Sequence, residues 1–445
     1  MVDKEALESA IEKQALFAEE FSFEAMDPEV IDRAKLILLD SIGCMAAGNI
    51  QYEEAFLEDG DFRLIGRRKT SKELSVIFNG ASMVKNELDE GNQFAFGHPA
   101  CHIVPALLAE TQSLNAAGNK MLEALVTAYE ISCRWGCSAR AKAQMHVHGT
   151  MQTVGAAIAA CKLNSLSREE ICRAILLANS LPQATTWVSA LNGDQLRNAY
   201  IGLSNLVGMN AFRMTKAKIE SSIASLISVW QEVLDGDIDA EGLTKDIGVD
   251  FYISKNYFKV HSGCRYTHGF VDMLQELLDE GLRKDDIARI EVETYHAAAK
   301  LSGQDAPNGF AARFSIPVAI AIYLIYGAIS IETLTDENAV NKEVKELAHR
   351  VFVTENEEFN RQLPEIRHNK ITVYTKNGTA LVKDTTVTRG DYLDPFSKAD
   401  VIQKFENITR NVFGKERQTE IEEYIFDLEN KESVQPLFDL LGPEL

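Results

Sequence analysis

The reading of one stretch decides the fold: residues 79–110, NGASMVKNELDEGNQFAFGHPACHIVPALLAE. An apolar pattern of helical spacing lies on either side of its centre. Upstream, from Glu73 to about Asn86, Leu74, Ile77, Phe78, Ala81 and Val84 recur as on one face of a buried helix. Downstream, Ile103, Val104, Ala106, Leu107 and Leu108 open a second pattern after His98-Pro99. Proline is tolerated in a helix's first turn and pushes its predecessor out of the helical region. His98 is therefore expected at the mouth of a helix, facing the acidic end of the preceding one, where Glu87, Asp89 and Glu90 cluster. A carboxylate beside an imidazole orients the ring and moves its pKa into a working range, a proton-transfer arrangement. The same residues also fit a polar helix–loop–helix connection whose acids cap and solvate the chain, and the stretch alone does not choose between the two.

Outward from there, the first 260 or so residues read as helix after helix. Asp27-Pro28 starts one by the N-cap and first-turn proline rules. Further patterns cover 119–142, 147–162, 168–180 (opened by the capping pair Ser167 and Glu170), 195–213 and 216–234. Alanine- and glycine-rich runs such as Gly155-Ala156-Ala157 let neighbouring helices approach closely. The texture then changes. Residues 288–295 alternate as a strand, and 371–387 form two β-rich runs about Asn377-Gly378, a strong hairpin signal. Helical patterns at 266–281, 314–328 and 338–352 interleave with them, and helices resume from Ser397. The expected fold is mainly α: a large, discontinuous all-helical domain over 1–261 and 395–445, and a smaller α+β lid domain over 262–394.

Composition narrows the function. Hydrophobic content of 46% and charged content of 25% are those of a globular protein. A formal net charge of −21 argues against nucleic acid or an anionic membrane as partner, so an anionic substrate would need a local basic pocket. No run of roughly 18 apolar residues offers a membrane span. The acidic, amphipathic N-terminus resembles neither a signal nor a transit peptide. Seven cysteines scattered through apolar patterns suggest buried thiols in a reducing cytoplasm. Cys133 and Cys137 lack a second pair to complete a zinc or iron–sulfur site.

Three more segments carry candidate chemistry. MHVHGTMQTVGAAIAA, from Met145, puts His146 and His148 before a helix, where a ring either reaches a bound carboxylate or satisfies loop carbonyls. GDQLRNAYIG sets Arg197 in the first turn of a small-residue helix, where the dipole disfavours a cation, with Tyr200 on the same face. KVHSGCRYTH concentrates Lys259, His261, Cys264, Arg265, Tyr266 and His268 where the helical block gives way to the α+β block. Interfaces of that kind are favoured places for small-molecule pockets.

In this order the four segments resemble the MmgE/PrpD family, whose members include 2-methylcitrate dehydratase, cis-aconitate decarboxylase and iminodisuccinate epimerase. Weaker echoes follow in ARFSIPVAIAI (312–322) and RGDYLDPFSKADVIQKF (389–405). The resemblance covers nearly the whole chain and implies a homodimer with chemistry in an interdomain cleft, using no metal and no organic cofactor. It also implies catalytic roles for Glu87, His98, His148 and Lys259, with Arg197 at a lysine position. Three positions depart from the decarboxylase pattern: Cys264 stands where it implies histidine, Val318 where it implies tyrosine, and Gly91 where it implies threonine.

The expected activity is that of a cofactor-independent lyase moving an α-proton of a small di- or tricarboxylate, with decarboxylation or dehydration. Arg197, Lys259 and Arg265, helped by Tyr200 and His268, would hold the carboxylates. His98 or His148 would be acid or base, Glu87 would orient an imidazole, and Cys264 is either a proton donor or an inert buried thiol. Other readings are an epimerase of a succinyl-type amino or imino acid, a metal-dependent hydrolase using His98, His102 and His148, and a non-catalytic polycarboxylate sensor.

Overall fold

The computed structural model describes residues 2–53 and 57–444. With 54% of the chain helical and 9% in strands, the protein is mainly α. Helix Pro28–Asn49 shows why the first block folds as it does. Proline occupies its first turn, and from Ala34 to Asn49 every residue is buried, as expected of a helix enclosed on all sides rather than amphipathic. Helix Lys72–Met83 packs along it, and so does helix Lys398–Thr409 from the end of the chain, whose Phe405 lies against Gly43. The Ser167–Glu170 capping box forms and starts helix Arg168–Asn179.

Described apolar side chains gather mainly into two cores. One runs from Leu7 to Phe258 and resumes from Phe396 to Leu441. The other runs from Cys264 to Val373, with Ala190 added from the first part of the chain. The second core is built on a four-stranded sheet: β1 (Ile287–Thr294), β2 (Val351–Glu355), β3 (Asn369–Thr375) and β4 (Ala380–Thr385). Spatial order is β4-β3-β1-β2, antiparallel except for the parallel β1–β2 pair. Ile290, Val292, Ile371 and Val373 share their core with Phe270 and Leu274 of helix Arg265–Asp279 and Ile320 of helix Ile316–Tyr326. The β3–β4 turn is made at Asn377-Gly378, with Gly378 in the left-handed region at φ +89°.

Three local expectations differ from the structure. The helix sought at 147–162 begins only at Val154, leaving His146 and His148 in an irregular loop. The helix sought at 216–234 shortens to Ile223–Ser228 and widens into a π turn at Val229–Val233. Of 338–352, only Lys342–Ala348 is the main helix; β2 begins at Val351. The apolar spacing of Val344, Leu347 and Val351 carries helical periodicity across that junction, whereas strand formation at Val351 is imposed by pairing with Ile290, far away in sequence.

Two features of the packing place the functional residues. Helix Leu196–Lys216 lies so close to helix Lys72–Met83 that a Cβ on Gly202 would come within 2.2 Å of the Ile77 carbonyl oxygen, and one on Gly80 within 2.8 Å of Gly202 Cα. This close approach sets Arg197 beside the turn that follows Met83. Secondly, Gly91–Asn92 pairs antiparallel with Asn256–Tyr257, Gly91 opposite Tyr257, tying the acidic loop to the segment leading into the second core. Gly202→Ala is accordingly expected to force the helices apart and lower stability by about 1–3 kcal/mol, read from the denaturation midpoint. A midpoint equal to that of the unaltered protein would contradict the close packing.

Candidate active site

The acidic loop starts where helix Lys72–Met83 ends. Glu87 sits at φ +52°, a left-handed conformation uncommon for a residue with a side chain. It is held there from both sides: Arg197 pairs with Oε1, and the Lys259 ammonium lies 3.0 Å from Oε2. Lys259 also reaches Asp89 Oδ1 at 3.4 Å. All four side chains are buried. The anion that Arg197 needs at its unfavourable helix position is thus supplied by the chain itself. Burial opposes the Lys259 charge, but Asp89 and Glu87 outweigh it and hold the ammonium firmly protonated. Burial likewise opposes Asp89 ionisation, and Lys259, His98 and Arg197 more than offset it, keeping the carboxyl well below its usual range.

Asp89, not Glu87, orients an imidazole. Asp89 Oδ2 is 2.9 Å from His98 Nδ1, which also lies 2.7 Å from the Glu90 carbonyl oxygen. With two acceptors facing Nδ1, the proton belongs there, and Nε2 carries the lone pair. His98 Nε2 makes no hydrogen bond to the described residues, and the ring is partly accessible. The loop returns His98 to the acids through a small hairpin. Asn92 accepts through its side chain from the Phe94 and Ala95 amides, and Asn92 and Gly97 bridge through their backbones. Glu90 fixes the start of the next turn by accepting the Ala100 amide at 2.8 Å, and Tyr129 donates its hydroxyl to it at 2.9 Å.

A narrow cavity of about 40 Å³ opens between these groups and the second core. Glu87, His98, His148, Arg197, Cys264 and Arg265 line it together, so six residues singled out from the sequence meet at one place. Lys259 stands behind Glu87. Tyr200 and His268 do not reach the cavity. Tyr200 is buried behind His146, ring centroids 6.5 Å apart. His268 donates Nε2–H to the Gly263 carbonyl at 3.1 Å, and its Nδ1 faces Arg265 at 3.5 Å, which spends the ring on the local fold. Arg265 itself donates to the Arg389 and Thr388 carbonyls, both at 2.9 Å, and lies 3.5 Å from Asp391.

The histidines divide into roles by their partners. His148 Nε2 accepts from Arg197 at 3.4 Å, leaving Nδ1–H without a partner; its ring stands edge-on to His98 at 5.1 Å. His146 Nδ1 accepts the His148 amide at 3.0 Å, so its proton is on Nε2, also unpartnered, with Trp187 packed at 4.2 Å. His102 donates to the His98 carbonyl at 3.1 Å and accepts the Gly149 amide at 3.1 Å. Both its nitrogens are spent, so the three-histidine metal site weighed from the sequence is not assembled. Among the described residues no group of three His, Cys, Asp or Glu side chains converges as metal ligands. Burial, then the neighbouring Glu87 charge, pushes the Cys264 thiol up to about 11, so it stands as a thiol and not as a thiolate.

Several lining residues were not singled out from the sequence: Trp187, Phe314, Arg367 and the aromatic face of Tyr257. Tyr257 follows from the strand pair with Gly91, whose added Cβ would lie 2.3 Å from the Tyr257 hydroxyl. A side chain at position 91, such as the threonine implied by the resemblance, would collide there. A larger cavity of about 410 Å³ lies on the other side of Leu88 and Lys259, which help to line it, but its charges are matched: Lys259 with Glu87 and Asp89, Arg389 with Asp400 at 2.8 Å, Arg410 with Glu332 at 2.6 Å, and Lys404 with Asp40, behind the wall, at 2.5 Å. Glu87, His98, His148 and Cys264 face the smaller one.

A fold with a helical first core, a second core on a mixed sheet, and this cleft between them agrees with what the chain matches. Residues 12–220 match the MmgE/PrpD N-terminal domain and residues 261–430 the MmgE/PrpD C-terminal domain; the chain belongs to the MmgE/PrpD family. Its relatives include cis-aconitate decarboxylase of Aspergillus terreus, 21% identical over 93% of this chain and 92% of that protein. Cis-aconitate decarboxylase-like protein oryM of Aspergillus oryzae is 22% identical over 94% of each chain. Together these matches support an enzyme of the lyase kind.

Burial makes the site sensitive to pH in both directions. His102, His146, His148 and His268 are held below the ordinary imidazole range chiefly by desolvation, His102 at about 4. Below about 6.5 the unfolded chain binds protons that these folded rings refuse, so stability falls as pH falls through that window. Glu90 is the reverse: burial pushes it from 4.5 up to about 8, so the folded state keeps a proton that the unfolded state has lost. Stability therefore also falls as pH rises from about 4.5 to 8. Denaturation titrations should show both limbs. Glu90→Gln should gain at least about 1 kcal/mol relative to the unaltered protein between pH 6 and 9; an unchanged difference across that range would place the Glu90 proton wrongly.

Proposed function

We propose that the protein is a cofactor-independent lyase that removes or delivers the α-proton of a small di- or tricarboxylate, with decarboxylation or dehydration as the outcome, in the manner of cis-aconitate decarboxylase or 2-methylcitrate dehydratase. One observation carries this reading: a buried, ionised Asp89 fixes the proton of His98 on Nδ1 and presents Nε2, as base, to a cavity lined by cations and by hydrogen-bond donors. A base so fixed needs no rearrangement before it accepts a proton, and positioned proton transfer contributes typically about 10²–10⁴-fold. As the α-proton leaves, negative charge develops on the adjacent carboxylate. The unpartnered Nδ1–H of His148 and Nε2–H of His146 supply fixed donors in the same low-dielectric space. Reprotonation, or protonation of a departing hydroxyl, draws on His98 in its charged form or on the Cys264 thiol.

The cavity as it stands holds a few water molecules and not a six-carbon acid. Admission of such an acid thus requires the cavity to widen, and closure afterwards would exclude water from the reacting centre.

Incubation with cis-aconitate, 2-methylcitrate and related acids in D₂O, followed by NMR, tests the proposal. Decarboxylation is expected to give product carrying deuterium at the carbon that lost carbon dioxide; dehydration is expected to give the unsaturated acid, with deuterium entering only the α-carbon of substrate that re-forms by the reverse reaction. His98→Ala and Asp89→Asn proteins with unchanged circular dichroism should be slower by about 10²–10⁴-fold. Undiminished turnover in both variants would remove the dyad from the mechanism. Deuterium exchange without decarboxylation or dehydration would assign the chain to the epimerases instead.

A further inference from the structure

Lyases of this kind must grip a substrate carboxylate away from the reacting carbon, and the cations named from the sequence are already engaged. Arg197 is paired with Glu87, Lys259 with Glu87 and Asp89, and Arg265 with two backbone carbonyls and Asp391. Arg367 is different. It lines the same cavity, and its Nη1 is inaccessible to solvent without a hydrogen-bond partner. It makes no ion pair with the described residues. Its guanidinium rests on two aromatic faces, 5.6 Å from the Tyr257 centroid and 5.4 Å from that of Tyr266. Cation–π contact recovers part of what burial takes from an arginine, but a guanidinium donor left unpaired in a protein interior is costly and rare.

The position is held deliberately with respect to the base. Tyr257 is shared: its ring is 6.2 Å from His98 on one side and 5.6 Å from Arg367 on another. The segment before Arg367 is tied to the acidic loop, because Gln93 donates to the Pro364 and Glu365 carbonyls at 2.9 and 3.0 Å. The loop that orients His98 thereby also anchors Arg367.

We propose that Arg367 is the anchor for a substrate carboxylate remote from the carbon that His98 deprotonates, and that it selects acids with at least two carboxylates over monoacids. The proposal rests on the polycarboxylate reading above. A carboxylate fits the empty donors of the guanidinium fork, and the flanking tyrosines hold the plane so that little rotamer freedom is lost on binding. The preference follows from charge: in the cavity wall Arg367 is the arginine without a carboxylate of its own among the described residues.

Calorimetric titration with propane-1,2,3-tricarboxylate and with butyrate tests this in the intact protein and in Arg367→Gln and Arg367→Lys, with turnover of any acid found to react measured alongside. The unaltered protein should bind the tricarboxylate more tightly than butyrate. Arg367→Gln should weaken tricarboxylate binding by roughly 10- to 100-fold and leave butyrate little changed, so that the discrimination collapses. Arg367→Lys keeps the charge but not the fork and should fall between, which also provides a folded variant should the glutamine protein be unstable. Equal weakening of both ligands would mean that Arg367 only supports the fold, and would overturn the anchor. An unchanged KM and unchanged discrimination in Arg367→Gln, with lyase turnover intact, would overturn the anchor while sparing the lyase reading. Arg367-dependent tricarboxylate binding without turnover or α-proton exchange would do the opposite. No tricarboxylate binding by the unaltered protein would overturn both.

Discussion

The arrangement depends on one buried ion cluster, in which Glu87 is shared by Arg197 and Lys259, and Lys259 by Glu87 and Asp89. Each charge alone would be too costly to bury, and withdrawal of one partner from such a group typically costs about 3–5 kcal/mol. Together they bring three distant parts of the chain to one point: the turn after helix Lys72–Met83, the first turn of helix Leu196–Lys216, and the segment that leads into the second core. The cluster also stabilises the left-handed backbone of Glu87, which would otherwise relax. Its chemical consequence is indirect. Lys259 keeps Asp89 ionised in a place where desolvation would protonate it, and an ionised Asp89 is what fixes the His98 proton.

This assigns a different task to the cations than simple attraction of an anionic substrate. In a protein of net charge −21, a free cluster of lysine and arginine would be the obvious local counterweight. Instead, Arg197 and Lys259 are neutralised by Glu87 and Asp89 and Arg265 lies beside Asp391, which leaves Arg367 as the cation of the cavity wall without an ion pair among the described residues. Beside it, the same wall offers oriented neutral donors, the unpartnered N–H groups of His146 and His148. The two rings stay neutral because burial and Arg197 disfavour their charged forms, and a neutral imidazole donates without first having to lose or gain a proton.

Much of this was legible in the sequence. Helical periodicity, the Ser167–Glu170 cap and the Asn377-Gly378 turn are local signals, and the mainly α fold follows from them. Glu87, His98, His148, Arg197 and Lys259 were legible as chemistry-bearing types in unusual settings: an arginine against a helix dipole, a histidine before proline. The division of labour among the acids was not. Which of Glu87, Asp89 and Glu90 meets the imidazole is decided by the positive φ at Glu87 and by the Gly91–Tyr257 strand pair, and neither is encoded within the motif itself. Tyr200 and His268 lie off the cavity for the complementary reason, since sharing a helix with residues that line it does not decide which face meets it. Arg367 gave no signal at all. It stands singly before a strand, and its distinction is the absence of a partner, which only three-dimensional packing reveals. The strand at Val351–Glu355 was hidden likewise, because its identity comes from Ile290 across the sheet.

Gly91, one of the three departures from the pattern that the resemblance implies, is coupled through space to the rest of the site. Gly91 leaves room for the Tyr257 hydroxyl, since even a methyl group at that position would overlap it. Tyr257 in turn touches both His98 and Arg367. A side chain at position 91 would displace the ring, and with it the spacing between the proposed base and the proposed anchor. Displacing Tyr257 would take away one of the two aromatic faces on which the half-buried Arg367 guanidinium rests, leaving Tyr266 alone to offset the desolvation of its Nη1. The site is better understood as one set of mutually dependent choices, in which a glycine and a tyrosine together fix how far the Arg367 guanidinium stands from the His98 ring.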